Sequence, residues 1–194
     1  QYGALPSSSS SSPMVLSVVT RVVGTLNHPS LAVTDINKDN IIFTIQNKFP
    51  CWVDGKEILL DSQGCPILTL RPKGQSKCKV FRGDSKDEND LIFTVKSHSS
   101  FKFGAHKLDV YLANNTTQRI CDFQLKGTYN GCSCTVYAGD SNSGTIIAKV
   151  EDKHPNRMFI SSKQSYLVTI SPNVDTAFIV SLIKILDNFN YTGA

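Results

Sequence analysis

The densest charge signal in the chain is a basic run with no acid inside it. Between Asp61 and Asp84 stand Arg71, Lys73, Lys77, Lys79 and Arg82, and neither aspartate nor glutamate interrupts them. Cationic side chains gathered this closely attract anionic surfaces, and each is worth about 1 kcal/mol beside an anionic phospholipid leaflet. These residues are the candidate lipid-binding set, read as five uncompensated charges. The competing explanation is a solvated barrel face whose lysines blunt strand edges against aggregation. Alternation along a strand puts Lys77 and Lys79 on one face, and leaves Arg71 and Lys73 free to lie on the other.

Other chemistry-bearing residues point to little. Cys132-Ser133-Cys134 has C-x-C spacing, not the C-x-x-C of zinc or redox sites, and no second pair follows at ligand distance. Same-face positions on a strand explain it, so no metal is expected. His28, His98, His106 and His154 are scattered through turn-like contexts and read as solvated. Asp35-Ile36-Asn37-Lys38-Asp39 begins like a calcium loop but lacks the glycine at position six and the glutamate at twelve, which favours a β-turn. No Gly-x-Ser-x-Gly elbow, Walker-type phosphate loop or dinucleotide fingerprint occurs, and acid pairs such as Asp87-Glu88 sit in loops. No catalytic residue and no cofactor is assigned, and an enzyme is not expected.

Composition sets the frame for these residues. With 194 residues, 40% of them hydrophobic, the chain can bury one sizeable core and needs no second domain. The net charge of +4 is mildly basic and far from the extreme that nucleic-acid binding calls for. Residues 1–13 are Ser-rich, lack the basic and apolar regions of a secretory leader, and read as a flexible extension to a single domain over 14–194. A reducing, cytosolic setting is therefore expected, with a monomer whose partners are an anionic membrane surface or an unidentified protein. Peripheral membrane and nuclear locations stay open.

The elements that must position the basic run are short β-like segments. Val15 to Val23, Ile41 to Ile45, Glu57 to Leu60, Ile67 to Leu70, Cys78 to Phe81, Leu91 to Val95, Leu108 to Leu112, Ile120 to Leu125, Cys132 to Tyr137, Thr145 to Val150 and Ser165 to Ile170 are rich in β-branched, aromatic and aliphatic residues. Asn, Asp and Gly punctuate them, which predicts about a dozen antiparallel strands closing into a barrel or sandwich. One segment is different. Val174, Ala177, Phe178, Ile179, Val180, Leu182, Ile183, Ile185 and Leu186 leave no broad polar face on a helix predicted over 174–188, with Asn173 as its cap. At about 1.5 Å per residue such a helix is roughly 20 Å long, short of the ~30 Å core of a bilayer. Protein must wrap it, and a wide barrel needs such a plug. Ala177, Ser181, Lys184 and Asn188 form one thin polar seam, along which Lys184 is expected to run toward an open C-terminal end.

Together, "LLDSQGCPILTLR" (Leu59 to Arg71), "VFRG" (Val80 to Gly83), "LIFTVK" (Leu91 to Lys96), "KLDVYLA" (Lys107 to Ala113), "CDFQLKG" (Cys121 to Gly127), "CTVYAG" (Cys134 to Gly139) and "PNVDTAFIVSLIKILD" (Pro172 to Asp187) resemble the LURP-one-related family of plant proteins. That resemblance implies a tubby C-terminal-like fold: a closed antiparallel barrel of about twelve strands around one central hydrophobic C-terminal helix. It also implies phosphoinositide binding by analogy with tubby-like domains, and a link to plant defence. The chain departs from the family where Ser76-Lys77-Cys78-Lys79 replaces a stretch that usually holds an aromatic, and where Lys184 stands in a usually apolar helix; Arg21 to Ser30 also match poorly. Two rival functions accompany the resemblance. A transcription-associated adaptor would call for a nuclear-localisation run of basic residues, which is absent, and a scramblase-like lipid transporter for a long apolar segment or acylation cysteines, also absent. A reducing compartment makes one expectation countable: thiol titration of freshly isolated, denatured protein without reductant should find all six cysteines, and four or fewer would overturn it.

Overall fold

A computed structural model describes residues 12–21, 31–47, 55–98, 105–128, 133–152 and 163–192. Twelve antiparallel strands run in sequence around a closed barrel: β1 (Met14–Arg21), β2 (Leu31–Asp35), β3 (Asn40–Asn47), β4 (Glu57–Asp61), β5 (Pro66–Pro72), β6 (Lys77–Arg82), β7 (Leu91–Ser97), β8 (Ala105–Leu112), β9 (Phe123–Thr128), β10 (Ser133–Ala138), β11 (Thr145–Asp152) and β12 (Lys163–Ile170). Each strand pairs with the next, and β1 pairs with both β2 and β12, so no strand edge is left open. Period-two patterning decides which side faces in. In β2, Leu31 and Val33 are buried while Ala32 and Thr34 are only partly so; Leu68 and Leu70, Cys78 and Val80, Phe93 and Val95 repeat the rule round the wall.

A barrel of this width cannot fill its lumen from strand side chains alone. Helix α1 (Thr176–Thr192) fills it. Every residue from Ala177 to Ile185 is buried, and nine consecutive helical positions point in all directions, so the wall surrounds the helix on every side. Phe178 anchors the entrance, its ring 5.2 Å from that of Phe93 in an edge-on contact and 4.9 Å from that of Phe123. Val174 precedes the first turn and, with Leu186, is partly buried against the core, while Phe178, Ile179, Leu182 and Ile183 lie within it.

Several boundaries differ from the sequence expectation for identifiable reasons. The helix is capped by Asp175, not Asn173: Phe178 N donates to Asp175 Oδ1 at 2.8 Å, while Asn173 takes a left-handed φ of 61° in the preceding turn. Burial pushes the Asp175 carboxyl up, against the pull of the Phe178 and Ala177 amides. Strand β2 is missing from the predicted set because Leu31-Ala32-Val33-Thr34 is short, yet its alternation is clear. Ile120 is not in a strand at all; it is 75% exposed in the β8–β9 connection, where Asn115 Nδ2 donates to its carbonyl at 2.8 Å. Residues 1–11, most of the expected extension, lie outside the described residues, as do His28, His154, Cys51 and Cys132.

The described cysteines are all free: Cys65 exposed, and Cys78, Cys121 and Cys134 buried. Burial pushes the Cys134 thiol up to about 12, so it behaves as a small apolar side chain. Gly127 is a close approach between strands, since a Cβ there would stand 2.7 Å from the Cβ of Cys134 on the neighbouring strand.

Leu182→Asp would place an unpaired charge in this filled lumen, costing several kcal/mol against a total stability of about 5–15 kcal/mol. The variant should be insoluble or lack cooperative melting; a monomer with an unchanged thermal midpoint would contradict the packing.

Candidate functional site

The basic run folds onto the wall formed by β5, β6 and β7. Leu70 and Val80 face each other inside; one step along, Arg71 and Lys79 face each other outside, and Lys77 stands opposite Lys96 of β7. Arg71 therefore shares the outer face of Lys77 and Lys79, the opposite of what alternation left open for it. Lys73 lies exposed in the turn beyond β5, its amide donating to the Lys77 carbonyl at 2.8 Å. Arg82 is exposed at the far end of β6 and does not join the group.

The structure also corrects the idea of five uncompensated charges. Gly83 of "VFRG" adopts a φ of 56°, which turns the chain back so that its amide reaches the Ile67 carbonyl at 2.7 Å and its carbonyl accepts from Thr69 Oγ1 at 2.6 Å. The returning connection carries a single 3-10 turn (Glu88–Asp90) whose Glu88 takes the Lys79 ammonium at 2.6 and 2.8 Å. Lys79 is neutralised by a residue outside the run, because alternation says nothing about where a loop returns. Asp84 likewise pairs with Lys56.

Lys96 is the member that sequence reasoning missed. It closes the "LIFTVK" motif one strand further on, its Nζ 5.0 Å from the centroid of the Tyr111 ring. Beyond it Asp109 accepts from Gln124 Nε2 at 2.7 Å and is approached by His98 Nε2 at 3.0 Å and Lys107 Nζ at 3.8 Å. Arg71 contributes one more irregularity: its Nε is buried and has no hydrogen-bond partner among the described residues. An unsatisfied buried donor costs free energy, and so do like charges directly opposite each other on neighbouring strands. The strip Arg71, Lys73, Lys77, Lys96 is thus a cationic surface, bounded on its β8 side by Asp109, which stands opposite Lys96.

On the inner side of the same wall lies a second polar group. Lys184 follows the predicted seam toward the helix C-terminus but does not reach an opening; it is 2% exposed. Its Nζ donates to Asn188 Oδ1 at 2.9 Å and lies 3.4 Å from Glu57 Oε1, while Asn188 Nδ2 donates to Glu57 Oε2 at 2.7 Å. The directions are forced. An ammonium only donates, so Asn188 must turn its oxygen to Lys184 and its NH2 to Glu57, which must then accept. Asp187 Oδ2 stands 3.8 Å from the same ammonium. Burial pushes the Glu57 carboxyl up, with Lys184 and Asn188 opposing the shift. Ser181, on the same seam, bonds back to the Phe178 carbonyl at 2.7 Å.

The remaining candidates resolve as turns. Asp35 Oδ1 accepts from Asn37 N at 2.9 Å and the Asp39 amide reaches the Asp35 carbonyl at 2.8 Å, making the β2–β3 turn. No group of three or more metal-ligating side chains occurs among the described residues. No described helix is long and apolar enough to cross a membrane.

A profile of the LURP-one-related family matches residues 14–187, from the first residue of β1 well into the central helix. The chain belongs to the LURP-one-related family. It is 43% identical to Protein LURP-one-related 10 of Arabidopsis thaliana over 92% of this chain and 91% of that one, and 47% identical to Protein LURP1 of the same plant over 72% and 67%. A crystal structure of an Arabidopsis thaliana protein, 36% identical and covering 93% of each chain, superposes with a TM-score of 0.69. The barrel and its central helix are thus shared with a solved plant protein of this likeness.

In this LURP-one-related chain the inner ion pair can be tested by unequal substitution. Glu57→Gln takes the nearer carboxylate from Lys184, leaves it only Asp187 at 3.8 Å, and should destabilise by about 1–3 kcal/mol, whereas Glu57→Leu with Lys184→Met and Asn188→Leu removes both charges and the amide between them and should cost less. Denaturant midpoints for the single and triple variants check this; equal losses would show that the polar group itself contributes net stability.

Proposed function

We propose that the protein is a non-catalytic docking module whose outer strip on β5–β7 holds it against an anionic phospholipid surface. One observation carries the reading: Lys77 faces Lys96 across the strand pair, with Arg71 on the same outer face and Lys73 in the adjoining turn, and a bound anion would relieve the like-charge cost. The packing supports an exterior site, since the helix occupies the lumen where a small-molecule ligand would otherwise sit. Phosphoinositide recognition, suggested by likeness to tubby-like barrels, belongs to this proposal, as does a part in plant defence. At about 1 kcal/mol per basic residue the strip supplies a few kcal/mol, enough for reversible, salt-sensitive attachment and not for insertion.

Sedimentation with phosphoinositide-bearing liposomes tests it. Lys77→Gln with Lys96→Gln removes two charges without setting a carboxylate against Asp109, which faces Lys96 from β8, so the fold should change little and affinity should fall at least about tenfold. Arg82→Glu, at the far end of β6, should bind nearly as the wild type does. Equal sedimentation of the double variant would remove the strip from consideration, and failure of the wild type at low salt would leave a protein partner as the better reading.

A further inference from the structure

The inner cluster holds two carboxylates, Glu57 and Asp187, for one ammonium, Lys184, and this imbalance decides which group carries a proton. Glu57 is committed as an acceptor twice over, to Asn188 Nδ2 at 2.7 Å and to Lys184 at 3.4 Å. Protonating it would set a hydroxyl against a fixed donor. Among the described residues Asp187 has only the long 3.8 Å approach of Lys184, whose ammonium is already directed at Asn188 and Glu57. The solvent contact differs in the same sense: the Asp187 side chain is 21% exposed, against 3% for Lys184, so Asp187 can exchange protons without the helix leaving the barrel.

We infer that Asp187 is a proton-operated lock on the last turns of the central helix, closed when the carboxyl is protonated and loosened when it ionises. With the proton on, the cluster is neutral and the ring of Lys184, Asn188 and Glu57 fixes the helix in rotation and depth. An apolar cylinder in an apolar sleeve has few other directional contacts to hold its register. With the proton off, a net negative charge sits in the interior. The groups facing it are Lys184 from the helix, Glu57 from β4 and, beyond Glu57, the Cys78 thiol from β6, which burial first and Glu57 second keep neutral, so that it cannot compensate. Burial pushes the Asp187 carboxyl up, with Lys184 opposing. A carboxyl raised on folding stabilises fully below its unfolded value near pH 4, and that contribution is lost as pH climbs through the folded value. Alkaline conditions therefore open the lock and mild acid closes it.

Thermal midpoints and amide exchange over Lys184 to Asn188, corrected for intrinsic pH dependence, should be followed from about pH 5 to about pH 8. Wild-type protein should lose several degrees and exchange faster as pH rises. Asp187→Asn, which mimics the protonated acid, should flatten most of the slope in both measurements and be the more stable protein at the upper pH. Asp175 titrates in the same direction, so the difference between variant and wild type is the readout. An unchanged slope in Asp187→Asn would overturn the lock. Should that variant not fold, carboxyl NMR of the wild type decides: a midpoint clearly above the usual aspartate range supports the lock, and one at or below it overturns it.

Discussion

Closure of the barrel around a helix that cannot face water is the constraint on which the rest depends. Twelve strands remove every sheet edge but enclose a lumen wider than their own side chains fill, and a helix apolar on all sides has nowhere else to go. Each solves the other's problem. The consequence is mutual dependence: the inward residues of every strand are packed against, or through their neighbours on, a segment that arrives last in the chain. Local contacts alone cannot complete this core, because β1 must find β12 and the helix before the wall has anything to surround.

That dependence moves chemistry to the outside and to one odd interior group. Side chains pointing in are spoken for by packing, so polar residues there must be answered: Ser181 bonds back to its own helix, and Glu57, Lys184 and Asn188 answer one another. They do so as a ring with fixed donor directions. A hydrophobic replacement of similar volume would pack as well, which is why the group is better understood as specifying register than as adding stability.

Much of this was legible in the sequence. The helix could be read because a residue run apolar at every phase of the wheel has no other explanation at that length, and the strands because Asn, Asp and Gly separate β-branched runs. Its cap was misplaced by two residues, since Asn173 and Asp175 both suit the position and only the backbone conformation at Asn173 separates them. The site was legible only in part. Alternation placed Lys77 and Lys79 together, but pairing between strands brought Lys96 in and Arg71 round, and a loop return neutralised Lys79 through Glu88. Sequence order carries none of these three facts; they are properties of register. The same holds for Glu57 and Lys184, which are far apart in the chain and meet only because β4 lies beside the last turns of the helix.

The two polar groups lie on opposite sides of the wall: the cations of β5–β7 face out, and Glu57 of β4 meets Lys184 and Asn188 of the helix inside. Lys77 and Lys79 point out of β6 and Cys78 points in, where burial first and the Glu57 carboxylate second raise its thiol. Outer cations and inner carboxylates are thus separated by the thickness of a sheet, a region of low polarisability where charges feel each other more than in water. The sign of the coupling follows. Cations outside favour ionised carboxylates inside, so an anion bound over Arg71, Lys77 and Lys96 would cancel part of that field and make proton uptake by Asp187 easier. By reciprocity a protonated interior would strengthen binding of the anion outside. The two proposals therefore predict each other's direction: docking closes the lock, and a closed lock favours docking.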